Sequence, residues 1–373
     1  MPNDAIDVAR LATQVLWIGF ALGVLFGAIA QRTHFCTMGA VADVVNMGDW
    51  SRARMWALAI GTAMIAFAAM TALGWIDPAK TFYTAPKLAW LSNIVGGLMF
   101  GFGMVLASGC GSKTLVRVGA GNLKSLVVFV VLGLSAFATL RGITAVLRVN
   151  TIDTVAATLA TSQTLPAIAA PALGWSKGAA ALALGLVIGG VLVLWSIARA
   201  EGRSTDVLLG GFGIGAVVAA GWWLTGHLGY VAEDPKTLEE AFVATNSGRM
   251  ESLTFVAPIA YTLDWLMFFS DKSKLLTFGI VTTVGVVVGS GAVALLDGSF
   301  RFEGFGSVED TANHLVGAVL MGVGGVTAMG CTIGQGITGV STLALGSFIA
   351  LAGIVGGAVM ALRYQVWRLE RMA

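Results

Sequence analysis

Ile94–Gly121, IVGGLMFGFGMVLASGCGSKTLVRVGAG, decides the fold because it recurs as Leu315–Thr342, LVGAVLMGVGGVTAMGCTIGQGITGVST. Laid over each other without a gap, the two stretches pair Gly96 with Gly317, Gly101 with Gly322, Gly103 with Gly324, Ala107 with Ala328, Gly109 with Gly330 and Cys110 with Cys331. Each copy is a glycine-notched apolar run that stops at a Gly-Cys. Two such interrupted helices in one chain predict a site at the interface of two repeats inside a membrane.

The rest of the chain supports that reading. Of 373 residues, 57% are hydrophobic and 11% charged, fifty are glycine, and the mean hydropathy is +0.85. Apolar runs of about 20 residues, the length of a bilayer-crossing helix, recur throughout, whereas a membrane barrel would show short alternating strands. The fold class is therefore all-α: a polytopic membrane protein of about nine transmembrane helices with short re-entrant or interfacial helices. The spans fall near Leu11–Ala30, Met55–Trp75, Trp90–Ser108, Leu126–Leu147, Gly178–Ala198, Val207–Leu228, Leu275–Leu296, His314–Gly330 and Leu343–Leu362. Leu11–Ala30 has no small-residue cleavage site after it and reads as a retained span.

The repeat extends further. Gly19-Phe20 aligns with Gly211-Phe212, Gly23 with Gly215 and Thr33 with Thr225, a register that sets Cys36 opposite Leu228. Residues 1–373 thus form a single membrane domain in which 11–147 and 207–362 are the repeat halves and 178–198 links them. The odd linking span gives the halves opposite topology, an inverted repeat. Lys and Arg collect at Arg32–Arg54, Lys113–Lys124, Arg199–Arg203 and Arg363–Arg371, which makes that side cytoplasmic and places the N-terminus outside and the C-terminus inside. The acid-rich loop Asp297–Asp310 fits this orientation poorly. On the other side Thr254–Phe269 reads as an amphipathic interfacial helix.

A net charge of +2 without a dense basic face excludes a nucleic-acid partner. The cysteines, Cys36, Cys110 and Cys331, are too scattered for a disulfide framework or a zinc site, and His34, His227 and His314 share no ligand spacing, so neither metal nor cofactor is expected. Each cysteine instead lies where small and polar residues stop a helix: Arg32, Thr33 and His34 before Cys36; Gly109, Gly111, Ser112 and Lys113 around Cys110; Gly330, Thr332, Gly334 and Gln335 around Cys331. Irregular backbone is tolerated in a bilayer only where it faces protein or a polar passage. Free amides at the starts of the following helices suit an anion. Arg32, Lys113 and Arg117 can recruit it, or they are ordinary cytoplasmic flanks.

The segments HFCTMGAV at Cys36, GGLMFGFGMVLASGCGSKTLVRVGAGN at Cys110 and GAVLMGVGGVTAMGCTIGQGITG at Cys331 resemble the YeeE/YedE family of bacterial inner-membrane sulfur transporters, which includes TsuA- and SoxT-type thiosulfate permeases. The resemblance covers nearly the whole chain. It implies a permease, not an enzyme, that imports thiosulfate or a related sulfur anion past Cys36, Cys110 and Cys331 in turn. It also implies a soluble TusA/YeeD-type sulfurtransferase as cytoplasmic partner, with no copy of it expected after the last span. Transport of sulfite, a persulfide or a selenium species is the alternative within the class. A membrane relay of thiols or sulfane sulfur is the alternative outside it, disfavoured because no C-x-x-C pair is present.

Overall fold

The computed structural model describes residues 8–235 and 237–372, most of them in fourteen α-helices. In chain order these are α1 (Val8–Arg32), α2 (Thr37–Met47), α3 (Ser51–Ala72), α4 (Trp90–Leu106), α5 (Gly111–Gly119), α6 (Leu123–Arg141), α7 (Ile143–Asn150), α8 (Leu165–Leu173), α9 (Lys177–Ile197), α10 (Thr205–Trp223), α11 (Ala257–Met267), α12 (Phe278–Leu296), α13 (Val308–Thr327) and α14 (Leu345–Met372). Eight stretches are long and apolar enough to cross a bilayer: α1 running on into α2, α3, α4 running on into α5, α6, α9, α10 with its extension, α12 and α14. The chain is an all-α polytopic membrane protein. The ninth expected span lies in α13, whose opening turns, Val308–His314, carry Glu309, Asp310 and Asn313 and lower its apolarity. It packs nonetheless against α4 and α6.

Helix contacts come in matched pairs. α1 lies along α12 as α10 lies along α3, α4 lies along α14 as α13 lies along α6, and α4 and α13 lie against each other. Close approach of backbones decides these crossings, because lipid supplies no hydrophobic drive between helices and small residues let them touch. A Cβ built on Gly324 would lie 2.6 Å from the Phe100 amide nitrogen, and one on Gly317 2.6 Å from the Gly103 carbonyl oxygen. α9 stands outside this pairing and leans on α3 and α8.

Charged loops gather at one face of the bundle. There Lys124 holds Asp310 at 2.9 Å and Glu303 at 3.4 Å, Arg368 holds Glu309 at 3.0 Å, and Arg52 holds Asp43 at 3.0 Å. The acidic loop that fits the charge rule poorly is thus neutralised by the basic residues of that same face. Asn122 caps α6 by accepting from the Ser125 amide and also donates to Glu303. Asn122→Ala is expected to cost about 1 kcal/mol, visible as a lower melting temperature in detergent.

At the opposite face two short antiparallel strand pairs tie the loops together: β1 (Lys87–Leu88) with β2 (Ala157–Thr158), and β3 (Tyr230–Val231) with β4 (Ala241–Phe242). Lys80 pairs with Glu240 between them.

Three sequence expectations change in detail. The span expected over Leu126–Leu147 ends at Arg141, because the extended backbone at Gly142 stops α6 and α7 restarts beyond it. α10 continues as a π-helix to Leu228, and residues 229–256 intervene before α11. The residue that precedes α11 as Cys36 precedes α2 is therefore Val256, not Leu228. Third, α11 packs against α6 and α12 with Ile259 and Ala260 fully buried, while Leu266, Met267, Phe268 and Phe269 stay exposed. The expected interfacial helix is thus half inserted, and Leu253, Phe255 and Val256 before it are buried in the bundle.

Candidate functional site

Each cysteine follows the same break. His34, Ser108 and Met329, two residues before Cys36, Cys110 and Cys331, take left-handed backbone with φ of 53°, 56° and 58°. The next amide then reaches five residues back: Phe35 to Ala30 at 3.2 Å, Gly109 to Met104 at 2.8 Å and Gly330 to Gly325 at 2.8 Å. Non-glycine residues seldom adopt such backbone, and its repetition at three cysteines marks a built feature. The cysteine then opens a new helical turn, its carbonyl accepting from Ala40 at 3.0 Å, Thr114 at 2.9 Å or Gln335 at 2.7 Å. Helix starts leave amides without intrahelical partners. Here the sulfurs take some of them: Gly39 donates to Cys36 Sγ and Gly334 to Cys331 Sγ, each at 3.4 Å. Cys110 Sγ lies 3.2 Å from Ser112 Oγ instead.

The three free thiols are buried. Cys110 is the middle one, in electrostatic reach of both Cys36 and Cys331. Cys36 and Cys110 both face Lys113, for which the described residues offer neither a hydrogen-bond nor an ion-pair partner, whereas Arg117 donates to the Ser108 carbonyl at 2.8 Å. Lys113 in turn feels Arg52, so this end points to the charged face. Cys331 lies at the other end, 3.9 Å from Thr254 Oγ1 and in reach of Tyr83, both from loops of the opposite face.

The residues singled out from sequence divide accordingly. Gly109 packs on the Lys113 stem, and a Cβ at Gly111 would come within 3.1 Å of the Phe255 carbonyl oxygen, so both glycines allow the close fit around Cys110. Gln335 donates to the Ala328 carbonyl at 2.6 Å and closes the third break, packing over Gly330. A side chain at Gly334 would strike the Thr254 hydroxyl. Thr332 is fully buried and its hydroxyl has no partner. Arg32 and His34 are at the end of α1, apart from the buried thiols, with His34 exposed and Arg32 exposed as well.

Residues that sequence reading missed are Tyr83, Thr254 and Phe255. The Tyr83 hydroxyl is buried without a partner, as is the Thr37 hydroxyl beside Cys36. Buried hydroxyls without partners are costly, and together they offer donors to an oxygen-bearing anion. No spacing rule links Tyr83 or Thr254 to Cys331. The folding of the loops at the face opposite the charged one alone unites them.

Two cavities approach this row from the loop face. One, of about 740 Å³, is lined by Lys80, Lys177, His227 and Tyr230 and reaches Ser341 and Thr342. The other, of about 230 Å³, is lined by Arg148, Glu251 and Thr254 and reaches Met329 and Gly330, next to Cys331. Cys331 itself is 0% exposed and Cys110 1%. These two sulfurs are closed to solvent in this conformation, while Cys36 retains 8% exposure.

Comparison with known proteins follows the same landmarks. The chain is 28% identical over 345 residues to the thiosulfate transporter TsuA of Spirochaeta thermophila, covering 90% of this chain and 94% of that protein. It is 26% identical to the Escherichia coli protein of the same name, covering 91% of each. A shorter segment of 110 residues, 29% of this chain and 25% of the relative, is 29% identical to the probable transporter YedE of Salmonella typhimurium. The model of the family described as Sulphur transport matches residues 32–360, a range that includes all three cysteine breaks, and the chain belongs to that family.

Proposed function

We propose that the protein imports thiosulfate, or a closely related inorganic sulfur anion, across the bacterial inner membrane, with the N-terminus outside and the C-terminus in the cytoplasm. Residues 11–147 and 207–362 act as inverted repeats joined by 178–198, a reading supported by the matched helix pairs. The anion passes Cys331 first, then Cys110, then Cys36. The observation that carries this reading is the row of thiols itself: three identical breaks set three sulfurs in succession, with Cys110 in reach of both others. Thiosulfate has a soft terminal sulfur and hydrogen-bond-accepting oxygens. Thiols donate weakly to the first, while amides and hydroxyls serve the second. Lys113 at the inner end adds a single attractive charge, enough to draw a dianion through without the tight hold of several lysines.

Gly109, Gly111, Gly330 and Gly334 keep the backbone close around the sulfurs, Ser112, Thr332 and Gln335 supply polar contacts, and Arg32 and His34 dress the inner mouth. A soluble TusA/YeeD-type sulfurtransferase would accept the cargo there, at a face that also carries Arg52 and Arg117. The route is sealed in this conformation, so transport needs a local opening at the breaks. Uptake of labelled thiosulfate into vesicles containing the purified protein tests the reading; uptake no faster than in protein-free vesicles would end it. Thr254→Val, which keeps the side-chain shape and removes the hydroxyl near Cys331, is expected to slow uptake roughly fivefold, the worth of about one hydrogen bond. Its melting temperature should stay near the parent value.

A further inference from the structure

The smaller cavity contains a carboxylate that anion import alone does not explain. Glu251 is half-buried and opens the run that leads to Thr254 and Phe255, anchored by exchange of hydrogen bonds between its backbone and the Thr225 hydroxyl. Its carboxylate accepts from the Ser247 hydroxyl at 2.8 Å and the Asn246 amide at 3.3 Å. Among the described residues it has no ion-pair partner. Several other acidic residues do: Asp43 has Arg52, Asp264 has Lys274, Asp153 has Arg148 and Glu240 has Lys80.

The position matters more than the missing partner. The cavity of about 230 Å³ that Glu251 lines is walled at its far end by Met329 and Gly330, the residues just before Cys331. Thr254, whose hydroxyl lies 3.9 Å from Cys331 Sγ, lines it too. Arg148 enters it from α7 with its Nε buried and unpartnered, and Tyr261 borders it from α11. Tyr83, from the turn after α3, is in electrostatic reach of both Glu251 and Cys331, and its hydroxyl has no hydrogen-bond partner. The groups that face Glu251 are therefore Tyr83, Tyr261 and Arg148, with Ser247 and Asn246 from its own loop.

An anion entering this chamber can be met by the Nε–H of Arg148, whose charge is shared with Asp153 at 3.5 Å, and is repelled by an ionised Glu251, a repulsion screened far less inside a protein than in water. A neutral Glu251 removes the repulsion and adds an O–H donor. We propose that Glu251 is a proton site at the outer entrance, so that the chamber takes up one proton with each divalent sulfur anion it binds. This rests on the import reading above. The proton comes from outer water onto a carboxylate oxygen, and no bond of the anion is made or broken. Burial of the carboxyl, which outweighs the opposing bonds from Ser247 and Asn246, raises the Glu251 pKa above its usual value.

The test is calorimetric titration of the purified full chain with thiosulfate between pH 5.5 and 8, in buffers of different ionisation heat. The expected result is one proton taken up per anion once Glu251 is ionised, with affinity falling about tenfold per pH unit above its pKa. Glu251→Gln keeps one oxygen to accept from the Asn246 amide and presents an NH2 group that can donate to the Ser247 hydroxyl, and it should bind with no proton uptake and less than about twofold change across the range. A proton count of zero in the parent protein overturns the proposal, as does an unchanged count in Glu251→Gln. The parent measurement decides even if the variant fails to fold. Absence of thiosulfate binding at every pH would instead end the import reading, and this proposal with it.

Discussion

Cys110→Ala is expected to lower thiosulfate uptake by about 10- to 100-fold, the largest loss among single cysteine replacements. The magnitude follows from removing one contact to a charged, largely desolvated ion, about 1.5–3 kcal/mol for a hydrogen bond to a charged group. Cys110 exceeds its neighbours because it is the only one of the three in reach of both others. At the ends of the row other groups would also hold the ion: Lys113, which acts more strongly on Cys36 than on Cys110, and Thr254 and Tyr83 beside Cys331. Cys36→Ala and Cys331→Ala should therefore lose less. Uptake into vesicles with equal protein content measures all three, and a Cys110→Ala protein that transports as fast as the parent contradicts the row. Cys110→Ser separates sulfur chemistry from size, and is expected to recover part of the loss because a hydroxyl still donates.

Gly101→Ala carries the largest expected effect on stability. In an isolated helix that substitution is favourable by about 1 kcal/mol, because alanine has the better helix propensity. Here the new methyl would run into the Ile354 carbonyl where α4 crosses α14, and it would also lie 2.9 Å from the Ala358 amide nitrogen. Both obstacles are backbone and cannot turn aside. Overpacking of this kind costs about 3 kcal/mol or more, so the clash outweighs the propensity gain. A fall in the detergent melting temperature, with loss of folded yield, is the expected result. Gly190→Ala in α9 supplies the control, since nothing lies within 4 Å of its added Cβ. There the propensity gain stands alone, and stability should rise by about 0.5–1 kcal/mol. Equal effects at the two sites would show that helix crossing does not set these glycines.

Much of this architecture is legible in the sequence, for physical reasons. A bilayer demands long apolar helices, so spans such as α3, α9 and α12 appear directly in composition. The alignment of Gly96, Gly101 and Gly103 on Gly317, Gly322 and Gly324 survives in the sequence because the same backbone approach is needed at both copies. The cysteine breaks are visible as runs of small and polar residues that a lipid-facing helix cannot carry. Their shared geometry is not, since His34, Ser108 and Met329 have nothing in common as residue types yet all adopt left-handed backbone.

Long-range assembly is the other illegible part. Tyr83, Thr254 and Glu251 come from loops whose path depends on pairings such as the Met250 amide with the Lys80 carbonyl at 3.1 Å and the Thr338 hydroxyl with the Leu253 carbonyl at 2.7 Å. Neither pairing leaves a periodic trace. The insertion at 229–256 hides the counterpart of Cys36 for the same reason, because a gapless alignment cannot step over it. The misfit of the acidic loop Asp297–Asp310 likewise resolves only when Lys124 and Arg368 are seen to neutralise it.

Passage of one anion along three sulfurs can be seen directly. Crystals or frozen particles of the full chain, prepared with thiosulfate whose terminal sulfur is replaced by selenium, locate the heavy atom by its anomalous signal or its density. A peak against Cys110 Sγ, or between it and either neighbouring thiol, is the predicted result. A peak confined to the lipid-facing surface or to the outer loops, with the space between the thiols empty, would contradict it.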